Sequence, residues 1–138
     1  MIRTLCYFSL LYVLLSVAFF RCTKKNVNQK STNSLIGSWN WIKTVDQSDS
    51  TIDSTSTSNM QQIKFSDIKN YEWTKNGGIL HNGFYVMDMR VSQVYQQSLM
   101  TLNLYNFPNM LLVRQIKDTL FLEEDIANRK VFQFVKVH

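Results

Sequence analysis

The segment LIGSWNWIKTVD, residues 35–46, is the first of a series of short apolar segments that decide the fold. Trp39, Trp41 and Val45 share one parity in it, so all three lie on one face if the segment is a β-strand. Similar segments recur along the chain between turn residues, which is typical of an all-β domain. Together they predict about eight strands; the further segments are residues 60–67, 70–75, 79–89, 99–105, 110–116, 119–124 and 130–137.

Most connections between these segments are short, which predicts that neighbours along the chain pair antiparallel. A meander of about eight strands buries its core best as a small closed up-and-down barrel, because closure removes the unpaired strand edges. Two segments depart from the regular pattern. Residues 91–98 fit a helical turn as well as a strand, and the polar residues 47–59 predict a mobile loop.

The N-terminal segment has a different composition from the rest of the chain. Residues 5–20, LCYFSLLYVLLSVAFF, carry no charge and follow Arg3, a pattern typical of a secretory signal. This apolar stretch is shorter than the roughly 20 helical residues needed to cross a bilayer. We therefore interpret residues 1–21 as a signal peptide. Residues 22–34 are polar and rich in Lys, Asn, Ser and Thr, so we interpret them as a flexible tether.

Cys22 directly follows the signal segment and precedes the polar part of the tether. This arrangement resembles that of bacterial lipoproteins, in which the signal is cut before a Cys whose thiol then carries diacylglycerol. The resemblance implies that Cys22 is the lipid-attachment residue. It also implies a domain anchored at the bacterial cell envelope, on the outer or inner membrane, in the periplasm or at the surface. An ordinary signal peptide and an uncleaved membrane anchor are the alternatives.

The excess of basic residues belongs to the N-terminal segments. The whole chain has 15 Lys and Arg against 10 Asp and Glu, a net charge of +5. Five of the basic residues precede residue 35, so residues 35–138 carry ten charges of each sign and no net charge. The predicted barrel therefore lacks the charge excess that a nucleic-acid partner requires.

The chain from residue 35 onward is similar to a known family. Leu35-Ile36-Gly37-Ser38-Trp39 resembles the G-x-W start of lipocalins and of the smaller bacterial lipocalin-like lipoproteins. Residues 118–122 and 131–137 resemble the closing hairpin of that family. The resemblance implies a lipocalin-like barrel over residues 35–138. In such a barrel Trp39 closes one end and packs against a cation of the last strand, for which Lys136 is the candidate.

The sequence contains no recognisable catalytic or metal-binding pattern. Glu123, Glu124 and Asp125 are consecutive, so on a strand their side chains alternate between the two faces and form no catalytic pair. His81 has no sequence neighbour that would make it a general base. The aspartates in and beside residues 47–59 lack the alternate-residue spacing of a calcium loop. We therefore predict a domain that is not an enzyme and that holds no metal or cofactor.

Aromatic residues in the predicted strands are the candidate ligand-binding residues. Side chains inside an eight-stranded barrel either fill it or line a cavity for one small ligand. Two functions remain open: a carrier or sensor of a small hydrophobic molecule at the envelope, or a solid barrel that contacts another envelope protein. For the carrier, the residues expected to contact the ligand are Trp41, Tyr71, Trp73, Tyr85 and Tyr105.

Overall fold

The computed structural model describes residues 35–138, which fold as consecutive antiparallel strands. Successive side chains of a strand point to opposite faces, so buried and exposed residues alternate along most strands. The strands are β1 (Gly37–Asp46), β2 (Ile52–Ser54), β3 (Gln61–Phe65), β4 (Asn70–Lys75), β5 (Gly78–Val91), β6 (Ser98–Leu104), β7 (Leu111–Ile116), β8 (Thr119–Glu124) and β9 (Lys130–Lys136).

The sheet formed by these strands closes on itself. From β3 to β9 each strand pairs with the next, and β9 returns to pair antiparallel with β1, from Trp39 opposite Lys136 to Asp46 opposite Lys130. The other edge of β1 pairs with β3 at its start and with the short β2 at its end. Eight strands therefore form the closed up-and-down barrel that the sequence predicted, and β2 is an addition to β1.

The polar segment 47–59 is not the unstructured loop that its composition predicted. Its central residues form β2 and pair antiparallel with the second half of β1. Asp49 accepts a hydrogen bond from the backbone N–H of Thr51 at 2.9 Å, which fixes the turn before β2. Every side chain of β2 is exposed, so this hairpin contributes backbone pairing and no core.

Residues 92–97 form the turn of the β5–β6 hairpin, which settles the ambiguity between helix and strand in that segment. This turn is bound to the residue that follows β8. Asp125 accepts a hydrogen bond from Ser92 Oγ at 2.6 Å and one from the backbone N–H of Gln93 at 2.9 Å. The backbone N–H of Val94 donates to the same carboxylate at 3.2 Å. The hairpin turn is therefore fastened to the end of β8.

Two outward-facing residues show that the β5–β6 hairpin covers part of the outer wall. Thr101 and Leu112 are opposite each other in register and have the parity opposite to that of the interior leucines, yet both are buried. The next residue in this row is Glu123 of β8, which accepts a hydrogen bond from Tyr95 Oη of the hairpin turn at 2.8 Å. The hairpin therefore lies across β7 on the outside of the barrel.

The core lies inside the barrel and receives residues from all eight of its strands. The buried members of the core cluster are Leu35, Trp39, Trp41, Ile63, Phe65, Tyr71, Trp73, Tyr85, Leu102, Leu104, Leu111, Leu120, Leu122 and Phe134.

Among residues 35–138 there is no helix long and apolar enough to cross a membrane.

Candidate functional site

Four of the five predicted ligand residues are buried in the barrel core. Trp41, Tyr71 and Trp73 are each 3% exposed, and Tyr85 is 2% exposed. All four belong to one continuous cluster of apolar side chains. These four residues therefore lie inside the barrel, and the atoms that they contact decide between a ligand cavity and a filled core.

Polar groups of these four aromatic residues are hydrogen-bonded within the protein. The Nε1–H of Trp41 donates to Thr44 Oγ1 at 3.0 Å, and that of Trp73 donates to Gln61 Oε1 at 3.1 Å. The hydroxyls of both core tyrosines donate to backbone carbonyls, and burial raises the pKa of both phenols. None of these four polar groups is therefore left without a partner to anchor a ligand.

An aromatic cluster occupies the barrel around Trp73. The Phe107 ring stacks on Trp73 with centroids 5.7 Å apart, and Phe132 and Phe134 meet it edge-on at 5.2 and 5.5 Å. His81 is half-buried and approaches the same indole at 6.1 Å. These are the separations of rings in direct packing contact. The space that a ligand would need beside Trp73 is filled by the protein's own side chains.

Tyr105 does not line the interior, contrary to the prediction. It directly follows β6, is 53% exposed, and stacks on Phe84 with ring centroids 4.7 Å apart. Phe84 is 54% exposed and points outward from β5, because its neighbour Tyr85 points inward. Two aromatic rings are therefore stacked on the outer wall, in contact with solvent.

Gly83 allows Tyr105 to lie close to the wall. A Cβ placed on Gly83 would lie 3.0 Å from Cδ1 and 3.1 Å from Cβ of Tyr105, closer than side-chain carbons normally approach. The backbone of Gly83 also has φ of +149°, a conformation that residues with a Cβ rarely adopt. The Tyr105 ring thus covers a position that must lack a side chain.

The stacked rings belong to an open depression of about 570 Å³ on the outer wall, which we call the aromatic cleft. Its polar part is a row of Lys64, Glu72 and Asn82, which are opposite one another in register on β3, β4 and β5. The cleft thus combines an apolar platform with one charge of each sign and several amides. Its lining residues are Lys64, Ser66, Asn70, Tyr71, Glu72, Asn82, Gly83, Phe84, Tyr105 and Asn106.

A second depression, of about 360 Å³, lies on the outer wall of β1, β9, β8 and β7, and we call it the basic groove. One row of its wall consists of Lys43, Gln133, Phe121 and Arg114, opposite one another in register on these four strands. The guanidinium of Arg114 lies 4.4 Å from the centroid of the Phe121 ring. The other lining residues are Val45, Gln47, Tyr95, Glu123, Arg129 and Val131.

One side of the basic groove is held by a charged and aromatic contact network. Arg129 forms an ion pair with Glu123, and its guanidinium lies 5.4 Å from the centroid of the Tyr95 ring. Tyr95 Oη donates to the same carboxylate of Glu123 at 2.8 Å. Burial and the Glu123 carboxylate raise the pKa of Tyr95, so the phenol stays protonated and remains a donor.

The first and last strands meet at Trp39, as the lipocalin-like resemblance implied. Trp39 is fully buried, and its Nε1–H donates to the backbone carbonyl of Leu35 at 2.8 Å. Lys136 is directly opposite in register, and its Nζ lies 5.3 Å from the centroid of the Trp39 ring. This separation is within the range of a cation–π interaction.

The three acidic residues at the end of β8 have separate structural roles. Glu124 accepts hydrogen bonds from Asn109 Nδ2 at 2.9 Å and from the backbone N–H of Lys130 at 3.0 Å. Glu123 pairs outside the barrel with Arg129, and Asp125 binds the β5–β6 turn. Within residues 35–138 no three side chains of the metal-ligating types converge on one point.

The N-terminal predictions, with Cys22 as the lipid-attachment residue, concern positions outside the described residues 35–138. No protein-family model, no curated protein and no solved structure matches this chain. What is established is the fold, a small, closed, antiparallel barrel of eight strands.

Proposed function

We propose that this chain is a cell-envelope protein that is tethered through Cys22 and binds another envelope protein with the outer wall of its barrel. The observation that carries the proposal is the distribution of aromatic rings. Those of the interior pack against one another around Trp73, whereas Phe84 and Tyr105 stack in solvent. The lipocalin-like resemblance implies a carrier of a small hydrophobic molecule. Such a carrier requires interior rings that line an open cavity.

The aromatic cleft has the chemistry of a protein-binding surface. Phe84, Tyr105 and Val86 are each more than half exposed, and Val86 follows Phe84 on the outward face of β5. Contiguous exposed apolar side chains of this kind mark interaction sites, and aromatic residues dominate the binding energy of protein interfaces. A rigid stacked pair also loses little conformational entropy on binding.

Polar groups around the rings favour a polypeptide as the occupant. The side-chain amides of Asn70 and Asn82 flank the pair and make no hydrogen bond within the described part of the chain. An amide supplies both donors and an acceptor, which suits the backbone of a bound segment. Lys64 and Glu72 are cross-strand neighbours of opposite charge, so the cleft as a whole has no net charge. A partner segment without strong net charge is the best match.

A photo-crosslinking experiment in cells tests this proposal. A photoreactive phenylalanine analogue replaces Phe84 in the full chain, and the matched control carries it at Ile116, which is 50% exposed on another strand. We expect a discrete protein adduct from position 84 that is absent from position 116 and disappears when Tyr105→Ala is added. Identical adducts from both positions, or none from position 84, would show that the cleft binds no protein.

Two further measurements test the anchor and the carrier alternative. Cys22→Ser is expected to move the protein from the membrane fraction to the soluble envelope fraction, and a variant that stays in the membrane would contradict the lipid anchor. Native mass spectrometry of the purified protein is expected to show the acyl group and no apolar molecule inside the barrel. A co-purifying apolar molecule that is lost in Trp73→Ala would favour the carrier.

A further inference from the structure

We propose that the basic groove binds a small amphipathic anion: a carboxylate, sulfonate or phosphate joined to a flat apolar body. The groove lies on strands β1, β7, β8 and β9. The aromatic cleft lies on β3, β4 and β5, so this site is separate from the one in the proposed function.

The arrangement of side chains across the groove places cations on either side of an apolar floor. Lys43 and Arg114 are at the two ends of one register row, three strand spacings apart, or about 14 Å between backbones. Gln133 and Phe121 lie between them in that row, and Val45 and Val131 are opposite each other in the next row, so the only polar side chain on the floor between the two cations is that of Gln133. A flat apolar body fits on this floor, and its charged end reaches either cation.

Charge in the groove is unbalanced although the barrel is neutral. Arg129 is neutralised by its ion pair with Glu123. Neither Lys43 nor Arg114 has a carboxylate or a hydrogen-bonding partner within residues 35–138. The groove therefore concentrates two uncompensated positive charges, whereas residues 35–138 as a whole have no net charge. Such a local excess raises the local concentration of anions.

Arg114 is available for recognition of an anionic group. Its guanidinium lies over the Phe121 ring, with its centre 4.4 Å from the ring centroid. Its N–H groups make no hydrogen bond or ion pair within residues 35–138, so they are free to donate to a bound anion. A carboxylate, sulfonate or phosphate accepts two parallel hydrogen bonds from such an edge.

The groove is formed before any ligand arrives. Tyr95 borders it and is held by Glu123 and by Arg129, while Asp125 holds the backbone of the same hairpin turn. A wall fixed in this way does not have to be ordered on binding, which removes a cost of association. The volume of about 360 Å³ is within the range of sites for small molecules, roughly 300–1,000 Å³.

Calorimetric titration of the full chain in non-ionic detergent micelles tests the proposal, with empty micelles as the blank. The probe is 2-naphthalenesulfonate, and 2-naphthalenesulfonamide is the neutral ligand with the same ring system. The test variant is Lys43→Gln/Arg114→Gln. The control is Lys75→Gln/Lys117→Gln, which removes the same charge from exposed positions outside both depressions, on β4 and in the turn between β7 and β8. Thermal unfolding of both variants verifies that they fold.

We expect the sulfonate to bind with one site per chain and with a Kd raised at least tenfold in the test variant. The control variant should bind within twofold of the unaltered chain, and the neutral ligand should bind at least tenfold more weakly. Equal loss in both variants, an unchanged Kd in the test variant, or no binding at all would overturn the proposal.

Two further titrants distinguish the source of the anion. Dihexanoyl-phosphatidylglycerol presents an anionic lipid head group, and dihexanoyl-phosphatidylcholine presents a zwitterionic one. Binding of the first but not the second, lost in Lys43→Gln/Arg114→Gln, assigns the groove to lipid head groups. Binding of the naphthalenesulfonate alone assigns it to a soluble anion.

Discussion

Replacing Trp39 by Ala removes the side chain that joins the first and last strands at one end of the barrel. Trp39 is fully buried, so the loss of its ring leaves a cavity that the surrounding strands cannot fill without moving. Deletions of this size in protein cores lower the free energy of unfolding by about 3–5 kcal/mol. With a urea dependence of about 2 kcal/mol per M, a loss of 4 kcal/mol moves the midpoint down by about 2 M.

Lys136→Met separates packing from the cation–π contact at the same place. Met retains most of the apolar stem of Lys and loses only the charge above the indole, a contribution of about 0.5–1 kcal/mol for a partly exposed pair. Trp39→Phe should fall between the two variants, because it retains a ring but cannot donate to the carbonyl of Leu35.

Urea unfolding of these three variants, followed by far-ultraviolet circular dichroism, measures the order directly. Tryptophan fluorescence is unsuitable here, because the substitution removes part of the signal. The expected order of destabilisation is Trp39→Ala, then Trp39→Phe, then Lys136→Met. A loss below about 1.5 kcal/mol for Trp39→Ala, or equal losses for the first and last variants, would refute the closing role of Trp39.

Three other predictions follow from the barrel wall. Asp125→Asn should lower the free energy of unfolding at pH 7 by about 1.5–3 kcal/mol, the usual value of hydrogen bonds to a charged group. Burial alone would raise the pKa of Asp125, but its hydrogen bonds from Ser92 and two backbone N–H groups outweigh burial and lower it. The stabilisation is therefore complete above about pH 4 and is lost as the pH falls below it, so wild type and variant should converge in urea unfolding at low pH. Gly83→Ala should lower the unfolding free energy by about 1–3 kcal/mol through its positive φ and its contact with Tyr105, and a neutral result in thermal unfolding would contradict this contact. Shortening residues 47–59 to a few residues should change the unfolding free energy by less than about 1 kcal/mol, because the segment buries nothing; a loss above about 2 kcal/mol would show that it packs.

The strands were predictable from sequence because their side chains alternate along the chain. Seven segments bounded by turn residues correspond to β3–β9, and residues 35–46 correspond to β1. The position of Tyr105 was also available from the same alternation. Leu102 and Leu104 share one parity and are buried, whereas Tyr105 has the other parity. Its outward position follows from that rule, so the error came from naming Tyr105 as a ligand residue without applying the rule to it.

The basic groove and the Asp125 contact were not predictable from sequence by these rules. Lys43 and Arg114 are 71 positions apart, and only the register of β1, β9, β8 and β7 places them in one row. Asp125 is buried because the β5–β6 hairpin crosses the outer wall, and no local pattern encodes that crossing. Local periodicity determines which face a residue occupies only where a strand is regular: the bulge between Trp41 and Lys43 turns Val45 to the outer wall, although its parity predicted the face of Trp39 and Trp41. Closure of the barrel determines which residues share a site.

The pairing of β1 with β9 also governs when this barrel forms during synthesis. The residues that pair there are 84 to 97 positions apart, so β1 is made before the other strands of the barrel and lacks this partner until residues 130–136 have been made. A fold whose decisive contacts are this distant in sequence closes slowly, in milliseconds to seconds. Until then Trp41 of β1 lacks Phe134 of β9, the residue opposite it in the finished barrel. Nascent and truncated chains should therefore be the species that aggregate or require a chaperone, and a chain that ends before Lys130 should not fold.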